Sequence, residues 1–272
     1  MSSKENYLKL YRGWPHQGQY VWSPFVIKLE ARLRFAGVIY GIEAGSPRTA
    51  PKGKIPYVEF PASNGAGTVQ MGDSALIVKQ FVEMGFLPDL NGILSTEEQA
   101  RDLATRALLE DKLCFCHTRE RWIDNYYTMR DYALSAIPWP IRVFVGQLVY
   151  RSSKAMLYGQ GTLRLTDAEV RAIKLEVWES ISSVLTSVRS RKGPSRDTKN
   201  AKPSSELFWF LGGDHPTEVD ATLFGFIVSV LLCTAGPESR EIVDRYPVLT
   251  DYAERIHQVY FRDYEKWECH AE

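Results

Sequence analysis

Ser23 stands directly before Pro24 at the head of a helical pattern, in the stretch Trp22-Ser23-Pro24-Phe25. A hydroxyl at that point has two chemical uses. It caps the helix by accepting a hydrogen bond from an orphan N–H of the first turn, or it donates its own proton to an anion such as a thiolate carried by another molecule. A free thiol of pKa about 8.5 is mostly protonated at neutral pH. Lowering that pKa to about 6.5 takes roughly 2.7 kcal/mol of preferential thiolate stabilisation. A hydrogen bond to a charged partner supplies roughly 1.5–3 kcal/mol, and a helix N-terminus adds about 0.3–1, so the two together reach it. Tyr7, Tyr11 and Tyr20 lie nearby in sequence and offer phenols for the same task. The cysteines give little. Cys114 and Cys116 form C-x-C, which on a helix sends the two thiols to different faces, and Cys233 and Cys269 are far along the chain. No histidine spacing completes a zinc site, so reduced thiols and no metal are expected.

Ser23 and Pro24 are positioned by a helix over 23–37. Val26, Leu29, Leu33 and Ala36 recur at helical spacing and predict one buried face, Pro24 suits the first helical position, and Gly37 ends the helix. Strands are predicted at 8–13, 38–43, 55–60 and 68–71, the last two joined by a hairpin turn at Asn64-Gly65-Ala66-Gly67. A helix over 73–84 follows. The order is β-α-β and then β-β-α, a parallel crossover beside an antiparallel hairpin. From Leu94 onward the pattern is helical. Ser95-Thr96-Glu97-Glu98 opens a long helix running to about Tyr132 with acids in its first turn. Pro138 and Pro140 interrupt it. Thr166-Asp167-Ala168-Glu169 is a capping box opening a helix to about Ser190. The segment from Arg189 to Pro203 carries six cationic residues, one acid, two prolines and a glycine, and reads as a mobile basic loop. Thr217 and Asp220 form a further capping box, with a structural rather than catalytic role. No repeats or long low-complexity tracts occur.

A chain of 272 residues is long enough for one large domain or two ordinary ones. Lys+Arg and Asp+Glu balance at 33 each, which argues against a nucleic-acid partner reached by bulk charge. The polar N-terminus shows no signal peptide. The longest apolar run, Ala221 to Ala235, is too short and glycine-interrupted for a membrane span and reads as a buried helix. A cytoplasmic setting is expected.

These elements, in this order, resemble the glutathione transferase superfamily, and four motifs carry the likeness. Trp22-Ser23-Pro24-Phe25 is similar to the active-site turn in which Ser or Cys precedes Pro. Gly53 to Phe60, GKIPYVEF, resembles the family's cis-proline strand, with Pro56 as that proline. Met71 to Ile77, MGDSALI, resembles the acid–serine signature that holds the γ-glutamyl end of glutathione. Gly212 to Gly225, GGDHPTEVDATLFG, resembles the capped helix of the helical domain. The forms KGKIPYVEF and PTEVDATLFG are similar above all to the branch containing metaxins and the failed-axon-connections proteins, and also to fungal glutathione transferases of secondary metabolism.

The resemblance implies an α/β plus all-α fold: a thioredoxin-like N-terminal domain over 1–90 and a helical glutathione-transferase C-terminal domain over 95–272. It implies glutathione as cofactor. Asp73 would accept the ammonium, Ser74 would offer its N–H and hydroxyl to the γ-glutamyl carboxylate, and Lys54 or Lys52 would meet the glycyl carboxylate. The N–H and C=O of Ile55, beside Pro56, would pair with the cysteinyl backbone. Plain capping by Asp73 and Ser74, and solvent exposure of both lysines, are compatible with that role. Ser23, in place of a cysteine, points away from mixed-disulfide chemistry and toward a thiolate that conjugates, or that adds and eliminates reversibly to rotate a double bond. The second substrate, a bulky electrophile, would lie along the long helix, where Trp122, Tyr126, Tyr127 and Arg130, with Arg119 and Trp139, form an aromatic wall; an aromatic helix–helix core would look the same in sequence. The alternative function is a non-catalytic, metaxin-like adaptor. The resemblance allows a homodimer, without nucleic acid or a membrane span.

Overall fold

The computed structural model describes residues 8–62, 67–191 and 206–267. Tyr7, Cys269, the Asn64-Gly65-Ala66 part of the hairpin turn and the basic loop from Lys192 to Pro203 lie outside those residues.

The first layer is a four-stranded sheet with two helices. Strands β1 (Leu8–Tyr11), β2 (Tyr40–Glu43), β3 (Tyr57–Pro61) and β4 (Thr68–Gly72) lie in the order β2-β1-β3-β4. β1 and β2 run parallel, as the crossover through α1 (Pro24–Phe35) requires, and β1–β3 and β3–β4 are antiparallel. Helix α2 (Ser74–Glu83) follows β4 directly. Its Ile77, Val78 and Phe81 pack with Leu8, Leu10 and Val58 of the sheet and Leu29 and Leu33 of α1.

From Thr96 every described element is helical. α3 (Thr96–Ala107), α4 (Cys114–Arg119) and α5 (Tyr126–Ala133) are joined by π-helical segments at Leu108–Leu113 and Glu120–Asp124. Then come α6 (Trp139–Gln160), α7 (Asp167–Arg191), α8 (Glu218–Leu232), α9 (Pro237–Asp244) and α10 (Pro247–Tyr260). The capping signals act as the sequence predicts. The Glu169 carboxylate accepts from Thr166 N–H at 2.7 Å, and Asp220 accepts from Thr217 N–H at 2.7 Å and its hydroxyl at 2.8 Å. The helical run breaks between α5 and α6 as Pro138 and Pro140 predict, and the two prolines then stand at the cap and first turn of α6, where proline fits. The apolar run in α8 is buried from Val219 to Leu231. Among the described residues no single helix is long and apolar enough to cross a membrane.

Helix α1 departs from its pattern. It is buried from Val26 to Leu33 on every side, not on one face, and the charged Lys28, Glu30 and Arg32 are buried too. The cause is its place between two cores. Leu29 and Leu33 belong to the sheet cluster, while Ile27 and Ala31 join the larger cluster built from α7, α8 and α10. Buried charges persist only when paired, and each of these is. Glu30 accepts from Arg12 at 2.9 Å and Tyr264 at 2.6 Å, Lys28 pairs with Glu110 at 2.5 Å, and Arg32 with Glu218 at 2.5 Å.

Candidate functional site

Ser23 has extended backbone at the mouth of α1, and its Oγ accepts from Val26 N–H at 3.4 Å. Its own hydroxyl proton has no acceptor among the described residues. α8 holds this turn from behind. A Cβ on Gly225 would stand 2.5 Å from Pro24 O and 2.9 Å from Lys28 N, so only glycine lets α8 lie against the first turn of α1. One turn on, Ser229 Oγ donates to Trp22 O at 2.5 Å, and Arg121 donates to the same carbonyl at 3.0 Å and to Ser229 Oγ at 3.1 Å. Trp22 stacks on Tyr132 with ring centroids 3.6 Å apart, and Tyr132 OH accepts from Trp22 N–H at 3.2 Å. Trp14 also stacks on Tyr132, at 4.9 Å.

Ser23 thereby opens on a cavity of about 180 Å³ whose walls include Trp14, Trp22, Trp122, Met129 and Tyr132. Burial, opposed in part by the hydrogen bond from Trp22, pushes the Tyr132 phenol up to about 12, so it stays protonated. Cys114 lines the cavity as well, while Cys116 does not. Burial raises the Cys114 thiol, so it does not compete as a thiolate. His117 is buried on the same wall, and its Nε2 has no hydrogen-bond partner among the described residues. Burial first, then the cations Arg121 and Lys174, hold its imidazole well below the usual range, hence neutral.

A second group of residues gathers at one end of the sheet. The Ile55–Pro56 peptide is cis. The pairing of Tyr57 with Gly72 sets Pro56 and Asp73 at the same end. Asp73 has φ 80, the left-handed region, and its Oδ1 accepts from Ala75 N–H at 3.0 Å and Leu76 N–H at 3.2 Å, capping α2. Ser74, the first residue of α2, is buried, whereas Asp73, Lys52 and Lys54 are exposed. A Cβ on Gly72 would be 3.5 Å from the Lys52 backbone N, which brings that loop against the Asp73 turn. Lys52 and Lys54 form no ion pair among the described residues. Ile55 precedes the β3 ladder, which begins at Tyr57. None of these six residues lines the Ser23 cavity.

Of the aromatic wall, the structure brings Trp122 to the cavity. Tyr126 packs on Tyr150 of α6 at 5.2 Å, Arg130 lies over the rings of Tyr126 and Tyr127 at 5.7 and 5.3 Å, and both Tyr126 and Arg130 press on Gly146. Tyr126 and Arg130 belong to the α5–α6 contact, Tyr127 is exposed, and none of the three lines the cavity. Arg119 is buried and bonded to Leu165 O at 2.8 Å and to Asp167, and Trp139 is exposed at the start of α6. Tyr11 and Tyr20, the described phenols near Ser23 in sequence, are engaged elsewhere. Tyr11 stacks on Tyr57 at 4.3 Å, and Tyr20 OH is 2.8 Å from His257 Nδ1 in the core. Among the described residues, Tyr132 is the phenol that lines the cavity. Its signal lay in spacing: Cys114, His117, Thr118, Arg121, Trp122, Met129 and Tyr132 recur along the cavity at intervals of three, four and seven.

Residues 24–129 match the model of the glutathione S-transferase N-terminal domain, and residues 206–256 match that of the glutathione S-transferase C-terminal domain. With a small mixed sheet followed by a helical region, the chain belongs to the glutathione S-transferase superfamily. A comparison with curated proteins gives no match. Among solved structures it is similar to a glutathione transferase family member from Pseudomonas fluorescens with two glutathione bound, at 12% identity, covering 96% of this chain and 94% of that one, with a TM-score of 0.56. It is also similar to the β-etherase LigF from Sphingobium sp. strain SYK-6, at 13% identity over 92% of this chain and 94% of that one, with a TM-score of 0.54. Glutathione transferase GSTFuA3 from Phanerochaete chrysosporium aligns at 15% identity over 89% of this chain and 97% of that one, with a TM-score of 0.50. At such identities the likeness is one of fold.

Proposed function

We propose that the chain is a glutathione-dependent enzyme, a transferase or a cis–trans isomerase, acting on a bulky electrophilic small molecule. The observation that carries this reading is Ser23. Its oxygen accepts the cap bond from Val26 while its hydroxyl proton is left free at the mouth of an aromatic cavity. The donor set at the sheet end fits glutathione in kind: a carboxylate for the ammonium, a helix N-terminus with a buried hydroxyl for one carboxylate, and unpaired lysines for the other.

Bound glutathione would supply a sulfur nucleophile. Asp73 takes its ammonium, Ser74 and the start of α2 take the γ-glutamyl carboxylate, Lys52 or Lys54 the glycyl carboxylate, and the Ile55 backbone beside Pro56 the cysteinyl backbone. Ser23 donates its O–H to the sulfur and favours the thiolate. Trp122, with Met129 and Tyr132, walls the electrophile's side. Conjugation and addition–elimination both use this arrangement. The motifs support a place near the metaxin and failed-axon-connections branch or the fungal enzymes of secondary metabolism. Free thiols at Cys114, Cys116 and Cys233 fit a reducing, cytoplasmic setting. The sheet layer over 1–90 and the helical layer over 95–272 are taken as its two domains, and a homodimer as its assembly.

One observation favours the adaptor reading instead: Tyr132 already stacks on Trp14 and Trp22 beside Ser23. Titration calorimetry with glutathione separates the two. The enzyme binds it, and Asp73→Ala or Ser74→Ala weakens binding by about 1.5–3 kcal/mol through lost charge-assisted bonds. An absence of binding to the wild-type chain leaves the adaptor.

A further inference from the structure

Helix α6 is apolar on two sides, and the described residues cover only one of them. Gly146 and Leu157 are buried against the preceding helices. On the opposite side Ile141, Phe144 and Leu148 form a ridge at helical spacing, 56%, 74% and 64% exposed. Tyr158, further along α6, is exposed as well. A contiguous exposed apolar ridge marks a surface that meets something else.

The charge along this part of the chain is one-sided. Between Asp131 and Asp167 there is no Asp or Glu, but there are Arg142, Arg151, Lys154 and Arg164. In a chain with 33 acids in 272 residues, so long an acid-free run stands out. Asp131, at its border, is held by Arg130 and Arg142. Arg151 and Lys154 are exposed and without an ion partner among the described residues, and exposed Arg164 lies over the Tyr158 ring at 4.8 Å.

We infer that α6 is a peripheral docking face for an anionic lipid surface, with Ile141, Phe144 and Leu148 entering the headgroup boundary, Tyr158 at its level, and Arg151, Lys154 and Arg164 on the lipid charge. Exposed isoleucine, phenylalanine and leucine on a helix whose only charged residues are cations is the composition of an interfacial helix. A second copy of the chain fits less well. A two-fold contact would set a cationic strip against itself, with no acid in the segment to pair. The inference is independent of the glutathione reading.

Flotation of the full chain with vesicles tests it. Vesicles of phosphatidylcholine with about a third phosphatidylserine should carry the protein up, phosphatidylcholine alone should not, and salt should release it. Each cation near the surface strengthens binding roughly fivefold, so Arg151→Glu with Lys154→Glu should weaken it by an order of magnitude or more. Phe144→Glu with Leu148→Glu, on an exposed ridge, should abolish flotation and leave the circular dichroism melt unchanged. Failure of the folded wild type to float with anionic vesicles overturns the proposal. So does flotation that survives the ridge variant, or a wild-type dimer in sedimentation velocity that the ridge variant turns into a monomer, which would assign the face to self-association.

Discussion

At the scale of single residues, Ser23 does not have to choose between its two uses. Capping consumes a lone pair, whereas thiolate stabilisation consumes the proton. The 3.4 Å separation from Val26 N makes the cap a weak one, so Ser23→Ala should cost only about 0.5–1 kcal/mol in urea unfolding. The same change should raise the thiol pKa of bound glutathione by about one to two units, read by ultraviolet titration of the saturated complex. An unmoved thiol would leave Ser23 as a cap alone and turn attention to Tyr132. His117 gives a separate prediction on pH. Its folded imidazole is held neutral, while in the unfolded chain it takes up a proton near pH 6.5, about its ordinary value. The unfolded state therefore binds more protons below that pH, and stability is present above it and lost as pH falls. The loss approaches about 1.4 kcal/mol per pH unit from this one group. Urea unfolding of wild type and His117→Gln at pH 7 and pH 5 should show a flatter fall for the variant; equal slopes would mean the imidazole is charged in the fold.

At the scale of elements, the turn that bears Ser23 depends on the approach of α8 to α1. Gly225→Ala places a methyl group on the Pro24 carbonyl and the Lys28 amide. Neither backbone can yield without moving the helix, so the cost should be about 1–3 kcal/mol or more. The helices should part at the first turn of α1, and the thiol pKa should rise as in Ser23→Ala although the serine is intact. A variant that unfolds like wild type would show that the two helices are not in contact there. The cap of α8 is a second such joint. Asp220 is fully buried and accepts from Phe210 N–H, both groups of Thr217 and Tyr252 OH at 2.7–2.8 Å. Asp220→Ala strands these donors out of water and should cost about 3 kcal/mol or more, measured by chemical unfolding.

At the scale of the whole molecule, the sheet layer and the helical layer are joined through α1, whose residues belong to both cores. They should unfold in one cooperative step, seen as coincident far-ultraviolet dichroism and tryptophan fluorescence transitions. The joint includes buried charge. Arg32→Ala leaves Glu218 without its buried partner and should cost about 3–5 kcal/mol, while Arg32→Met combined with Glu218→Leu, which removes both charges, should recover most of that. Equal losses in the single and double variants would show that packing, not charge, holds the layers.

What the sequence determined by itself was local or ordered along the chain. Ser23–Pro24, Thr166–Glu169 and Thr217–Asp220 could be read because a cap forms between residues three apart. The succession of strands and helices followed from periodicity, and four short motifs in order carried the family. Tertiary structure decided which faces meet. The π-helical turns at Leu108–Leu113 and Glu120–Asp124 shift the phase of the long helix. The long helix nonetheless keeps Trp122, Met129 and Tyr132 on one face at helical spacing, and only the packing of Tyr126 and Arg130 against α6 decides that this face, and not theirs, lines the cavity. Lys28, Glu30 and Arg32 lie off the apolar stripe that predicts one buried face, and their partners at Glu110, Arg12 and Glu218, far away in sequence, offset their burial. The exposure of Phe144 and Leu148 was likewise beyond a linear reading, since an apolar pattern records that a face avoids water and not whether this chain supplies the cover.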